Sequence, residues 1–185
     1  MDSLYSVLIP DGTVRVQAQI ATVLTAFPRS IVRRVAEFGG IVRALKPRER
    51  YCEVSPALGR LGIDVDVWPA PPAGLFVVEE RTVYLRSRSP MTIAHEFAHA
   101  IDCALGGGVY LSGVNPEIRS AFLGARCFVT PYAATGIDEY FAESIRALVE
   151  VNDRASHWPK ATKARLQSAD PAMFEIVESL LRCAT

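Results

Sequence analysis

The sequence predicts a single α+β domain, with N-terminal helices and a mainly antiparallel or mixed sheet followed by a helical half. Three observations carry this. Short apolar runs of strand length stop before residue 88. Helix start signals, each a capping residue followed by proline, recur after it. The chain has 185 residues, 50% hydrophobic and 22% charged, which suits one globular core. Residues 1–185 are therefore read as one domain, with helices and sheet over 1–88 and a helical half over 89–185.

Each element follows from a local signal. Leu4 to Ile9 is a short apolar run, ended by the turn sequence Pro10-Asp11-Gly12. Val16, Ile20, Val23, Leu24 and Phe27 recur at helical spacing. Pro28 opens a second helix that Gly39-Gly40 should stop. Ile41 to Leu45 reads as a strand. Ile63 to Val67 alternates and reads as a half-exposed strand. Pro69 to Pro72 is a rigid turn, and Leu75–Val78 and Thr82–Arg86 are spaced as a hairpin. Ser89-Pro90 starts a helix that should end before Gly106-Gly107-Gly108. Asn115-Pro116 and Asp170-Pro171 start two more. Thr135, with Asp138 three residues on, starts another that runs to about Glu150.

Composition excludes several classes. Lys+Arg and Asp+Glu balance at 20 each, which argues against nucleic acid or an anionic membrane as the main partner. The basic stretch from Arg29 to Arg60 is read as a solvated face. The four cysteines form no C-x-x-C pair, and Cys103 and Cys127 are expected to be small buried residues. No run approaches the roughly 20 apolar residues of a membrane span. No signal peptide is visible. A soluble protein is expected, cytoplasmic, exported by a signal-independent route, or cut from a larger precursor.

The chemistry concentrates in His95-Glu96-Phe97-Ala98-His99. A helix turns 100° per residue, so His95 and His99 project from one face, one turn apart. Two imidazoles so spaced can chelate one tetrahedral zinc. Glu96 is placed to take a proton from a water that zinc has acidified and to deliver it to a leaving amine. Ile93, Phe97 and Ile101 give the same helix a face to pack.

A catalytic zinc needs a third protein ligand and an open position. A histidine at 105 would mark the metzincin pattern, but that residue is Leu105. The best carboxylate source is Ile137 to Glu143, where Glu139 and Glu143 lie one helical turn apart. Phe141, Ile145 and Leu148 indicate that this helix is packed into the domain, so its carboxylates need partners. One can bind zinc, and the other can accept the second ring N–H of a ligand histidine. Asp102 is a further candidate for such a supporting contact.

These residues resemble a known family. His95-Glu96-Phe97-Ala98-His99-Ala100-Ile101-Asp102, followed about forty residues on by Glu139-Tyr140-Phe141-Ala142-Glu143, is similar to the zincin-like catalytic domain of anthrax lethal factor. It also resembles that domain's small relatives, the Pro-Pro endopeptidases of clostridia. In that family a tyrosine stands seven residues before the glutamate ligand, and Tyr132 stands seven before Glu139. The resemblance therefore implies His95, His99 and Glu139 as zinc ligands, Glu96 as general base and Tyr132 as oxyanion donor. It covers residues 90 to 150 and implies a peptide or protein substrate, with proline-rich sites as its class.

For substrate binding, the strand before the motif helix is expected to be a sheet edge along which an extended peptide adds. Thr82, Val83, Tyr84 and Leu85 are its residues, and Trp68 is a core residue or, as the candidate substrate contact, an apolar wall of the cleft. Gly106 to Gly113 is read either as a mobile loop near the site or as a long cap. Besides an active endopeptidase, two other functions fit: a regulatory zinc protease with a single target, and a non-enzymatic, metal-containing binding module. The intact five-residue motif favours an enzyme.

Overall fold

A computed structural model describes residues 2–157 and 159–183; the domain expectation at Met1, Trp158, Ala184 and Thr185 lies outside the described residues. The N-terminal apolar run becomes helix α1 (Ser3–Leu8), because the Asp2 side chain caps it by accepting from the Leu4 N–H. Thr13 does the same for α2 (Val14–Leu24), which buries Ile20, Val23 and Leu24. Pro28 precedes α3 (Arg29–Glu37), whose inward face is Ile31, Val32 and Val35. Gly39, at φ 87°, then turns the chain into strand β1 (Ile41–Ala44).

Helices α4 (Tyr51–Val54) and α5 (Pro56–Leu61) follow, and then strands β2 (Gly74–Val77) and β3 (Thr82–Leu85). Among the described residues the sheet has three strands in the order β1-β3-β2. β1 runs parallel to β3, in register from Ile41 opposite Thr82, and β2 runs antiparallel to it, from Gly74 opposite Leu85. The sheet is mixed, as expected, but two expectations are corrected. β3 is the central strand, not the edge, and all four of its residues are buried. The edge strands are β1 and β2, and β2 is the one that borders the cleft described below.

The second correction concerns Ile63 to Val67, which forms no strand. The Asp64 carboxylate accepts from the Asp66 N–H and closes Val65–Val67 into a 3-10 turn. The Asp66 carboxylate accepts from the Tyr51 N–H at 2.7 Å and pairs with Arg86, while Asp64 pairs with Arg50. Short acidic side chains that bond nearby backbone compete with a sheet ladder, and here they win.

The second half is helical. In α6 (Pro90–Leu105) Ser89 caps the start and Pro90 occupies the first turn. Every residue from Thr92 to Ala104 is buried, so this helix is the spine of the domain. Ile93, Phe97 and Ile101 enter the main core, and Phe97 meets Phe27 edge-on at 5.1 Å between centroids. Burying such a ring is worth about 2–3 kcal/mol. After Gly106 come α7 (Leu111–Val114), α8 (Pro116–Gly124) and α9 (Ile137–Leu148). Thr135 does not cap α9, as Gly136 stands at that position; the Thr135 hydroxyl instead donates back to the Tyr132 carbonyl and closes the 3-10 turn Tyr132–Ala134.

Helices α10 (Lys163–Ala169) and α11 (Pro171–Cys183) complete the described chain. Asp170 accepts from the Met173 N–H at the start of α11 and from the Tyr140 hydroxyl of α9, tying the two together. Cys103 is buried, but Cys127 is exposed, because it lies in the loop beyond α8 rather than in the core. No helix among the described residues is long and apolar enough to cross a membrane.

Candidate metal centre

The packing of α6 against α9 brings three ligand-type atoms together. Nε2 of His95 and Nε2 of His99 lie 3.2 Å apart. Oε2 of Glu139 lies 2.9 Å from the first and 3.4 Å from the second. Bonds of about 2.0–2.1 Å directed to the corners of a tetrahedron would set ligand atoms about 3.3 Å apart. The three separations straddle that value. Glu139 Oε2 is buried and has no aligned hydrogen-bond partner among the described residues. A buried, orphaned carboxylate oxygen facing two imidazole nitrogens is what a divalent cation would satisfy. His95, His99 and Glu139 could therefore hold a metal ion.

The surrounding groups fix the orientation of these side chains. His95 Nδ1 is 2.9 Å from Glu143 Oε1. A carboxylate can only accept there, so Nδ1 carries the proton and the Nε2 lone pair faces the centre. Glu143 also accepts from the Thr130 hydroxyl at 2.6 Å and from both Nε and Nη2 of Arg146, at 2.8 and 2.6 Å. Burial opposes its charge, but the bonds from His95 and Arg146 outweigh that and pull its pKa down to about 2. Burial likewise opposes the Glu139 charge, yet the two histidines hold that carboxyl well below the usual range. On His95 burial works against the imidazolium, and without a metal ion the hydrogen bonds to Glu139 and Glu143 overcome it, raising its pKa to about 10, so a cation binding at Nε2 would displace a proton.

Glu96 is buried beside this cluster, and burial raises its pKa despite the attraction of His95 and His99. The Tyr132 hydroxyl donates to Glu139 Oε1 at 3.1 Å, leaving Oε2 turned toward the histidines. Tyr132 is 42% exposed, with its ring centroid 5.4 Å from that of His95. A cleft of about 240 Å³ opens over these groups, lined among others by Gly74, Met91, His95, Glu96, Thr130 and Tyr132.

Among solved structures, the chain matches the Pro-Pro endopeptidase PPEP-2 from Paenibacillus alvei with a TM-score of 0.66 and 21% sequence identity, over 96% of this chain and 100% of that one. The chain shares that enzyme's fold. No family model matches the chain, and no curated protein matches its sequence.

The site residues expected from sequence divide into two groups. His95, Glu96, His99, Tyr132, Glu139 and Glu143 converge. Asp102 does not join them: it is buried, but it accepts from the Ser112 N–H at 2.8 Å and the Ser112 hydroxyl at 2.5 Å, so it anchors α7. Thr82, Val83, Tyr84 and Leu85 lie in the buried middle strand, and the cleft is bordered by β2 instead. Trp68 is 53% exposed and is not among the residues lining the cleft.

Sequence reasoning missed Thr130, Arg146, Gly74 and Tyr110. Arg146 carried a signal, since it stands three residues after Glu143 and so faces it on α9. Tyr110, whose ring centroid is 5.7 Å from that of His99, lies within the loop read as near the site. Thr130 and Gly74 had no local signal, because only the tertiary fold brings them to the cleft.

Proposed function

We propose that the chain is a zinc-dependent endopeptidase with His95, His99 and Glu139 as the zinc ligands. The observation that carries this reading is the set of three atoms at tetrahedral-edge distances beside a buried glutamate in an open cleft. Zinc held there would supply a water acidified to a pKa near ~7 and polarise the scissile carbonyl.

Glu96 is the general base. Its raised pKa brings its proton affinity nearer to neutral pH, so it can take a proton and pass it to the leaving amine. Tyr132 is the oxyanion donor: its hydroxyl rests on Glu139 and its ring reaches the cleft surface, from where it can donate to the tetrahedral oxygen. Glu143 keeps the His95 tautomer that leaves Nε2 free. An extended peptide would add along the free edge of β2, whose first residue, Gly74, borders the cleft.

The likeness to the Paenibacillus alvei protein supports a peptidase, and its name points to proline-rich peptides as the first substrates to try. Kinship with lethal-factor-like zincin peptidases belongs to the same proposal. The test is a proline-biased peptide library cut by the wild type and by Glu96→Gln. Cleavage lost in the variant with zinc retained is the expected result. A variant that cleaves as well as wild type would sink the assignment.

A further inference from the structure

Arg146 is 2% exposed and is the bulkiest of the fully buried side chains. A buried guanidinium is costly unless every part of it is engaged. Here every nitrogen has an acceptor. Nε and Nη2 grip the two oxygens of Glu143, while Nη1 donates to the Val151 carbonyl at 3.2 Å and to Asn152 Oδ1 at 2.9 Å. Arg146 borders the cleft, but four of its five N–H donors are bound within the protein, so its guanidinium is held in one place.

The planar fork fits a carboxylate in one orientation, which a lysine cannot reproduce. That orientation aims Glu143 Oε1 at His95 Nδ1. Asn152 in turn is fixed by the Ala161 backbone, to whose carbonyl it donates at 2.7 Å and whose N–H its Oδ1 accepts at 2.9 Å. A continuous hydrogen-bonded chain thus runs from the Ala161 backbone, through Asn152, Arg146 and Glu143, to the imidazole of His95.

We propose that Arg146 is a positioning residue for the metal centre: by clamping Glu143 against His95 Nδ1, it sets the direction of the His95 Nε2 lone pair and so the grip on the ion. The inference rests on the metal-site reading above. It goes beyond the three ligand residues to one that acts on them through Glu143. It also makes Asn152 and the Ala161 backbone supports of the site.

The experiment measures zinc affinity by competition with a chromophoric chelator, on chains whose far-UV circular dichroism matches wild type. The set is wild type, Arg146→Lys, Glu143→Gln and the double variant. Arg146→Lys keeps the charge and loses the fork, and should weaken zinc binding about 10- to 100-fold. Because Arg146 acts through Glu143, the double variant should bind no more weakly than the weaker single one. Asn152→Ala, which leaves the fork but removes one of the two acceptors of Nη1, should weaken binding to a smaller degree, and it decides the matter if Arg146→Lys does not fold. Zinc affinity within twofold of wild type in folded Arg146→Lys, or in Asn152→Ala alone if the lysine variant does not fold, would overturn the inference and leave the metal site standing. So would losses that multiply in the double variant. A wild type that takes up no zinc would overturn both.

Discussion

The carboxylate arm of Glu96 fills the space that a side chain at Gly74 would need: a Cβ there would fall 2.4 Å from Glu96 Cγ and 2.9 Å from its Cδ. Strand β2 and the proposed general base are therefore fitted to each other. Gly74→Ala should displace Glu96 without touching the metal ligands. A misplacement near 1 Å costs about 100-fold in rate, so kcat should fall about 10- to 100-fold with zinc content unchanged. Steady-state kinetics beside metal analysis checks this, and an alanine variant of wild-type kcat would mean that Glu96 is not held by β2.

Tyr132 makes one hydrogen bond in the site, to Glu139 Oε1. Burial and the nearby Glu139 raise its pKa, so the hydroxyl keeps its proton for donation across the neutral range. Removing an oxyanion donor costs about 100- to 1,000-fold in kcat. Tyr132→Phe should show that loss with most of its zinc retained. Activity within a few-fold of wild type would move the oxyanion role elsewhere, with Tyr110 beside His99 the next residue to test.

Asp102 makes a stability prediction with a definite sign. Burial raises its pKa from the ordinary 3.8 to about 6, against the pull of the Ser112 hydrogen bonds. The folded state then prefers the neutral acid. Its stabilising contribution is fully present below pH 3.8 and is lost as the pH rises through about 6. An asparagine side chain at this position can accept from the Ser112 N–H and donate to the Ser112 hydroxyl without carrying a charge. In urea unfolding, Asp102→Asn should match wild type near pH 4 and exceed it by on the order of 2–3 kcal/mol at pH 7. A variant less stable than wild type at pH 7 would mean that the buried carboxylate is favourable as it stands.

The parts of this fold that could be read from sequence were those governed by a helical period or a cap. One helical turn between His95 and His99, and another between Glu139 and Glu143, placed each pair on one face, and Ser89-Pro90 marked the start of α6. Sheet order was harder, because a strand's place depends on its neighbours. The uncharged run Thr82-Val83-Tyr84-Leu85 did carry a sign of a strand buried on both faces. Ile63 to Val67 misled because alternating Val and Asp satisfies a half-buried strand and a side-chain-bonded turn equally well. Asp102, three residues after His99, reads as a supporting contact for a ligand histidine, but it bonds Ser112 at the start of α7, whose path no local pattern sets.

The central claim is that His95, His99 and Glu139 together hold one zinc ion. Metal content of the untagged wild type, measured beside Glu139→Ala by inductively coupled plasma mass spectrometry, tests it most directly. The account predicts one zinc per wild-type chain and a markedly lower content in the variant, with both proteins folded. Wild-type protein without zinc after refolding in its presence, or a Glu139→Ala variant with the full complement, would contradict it.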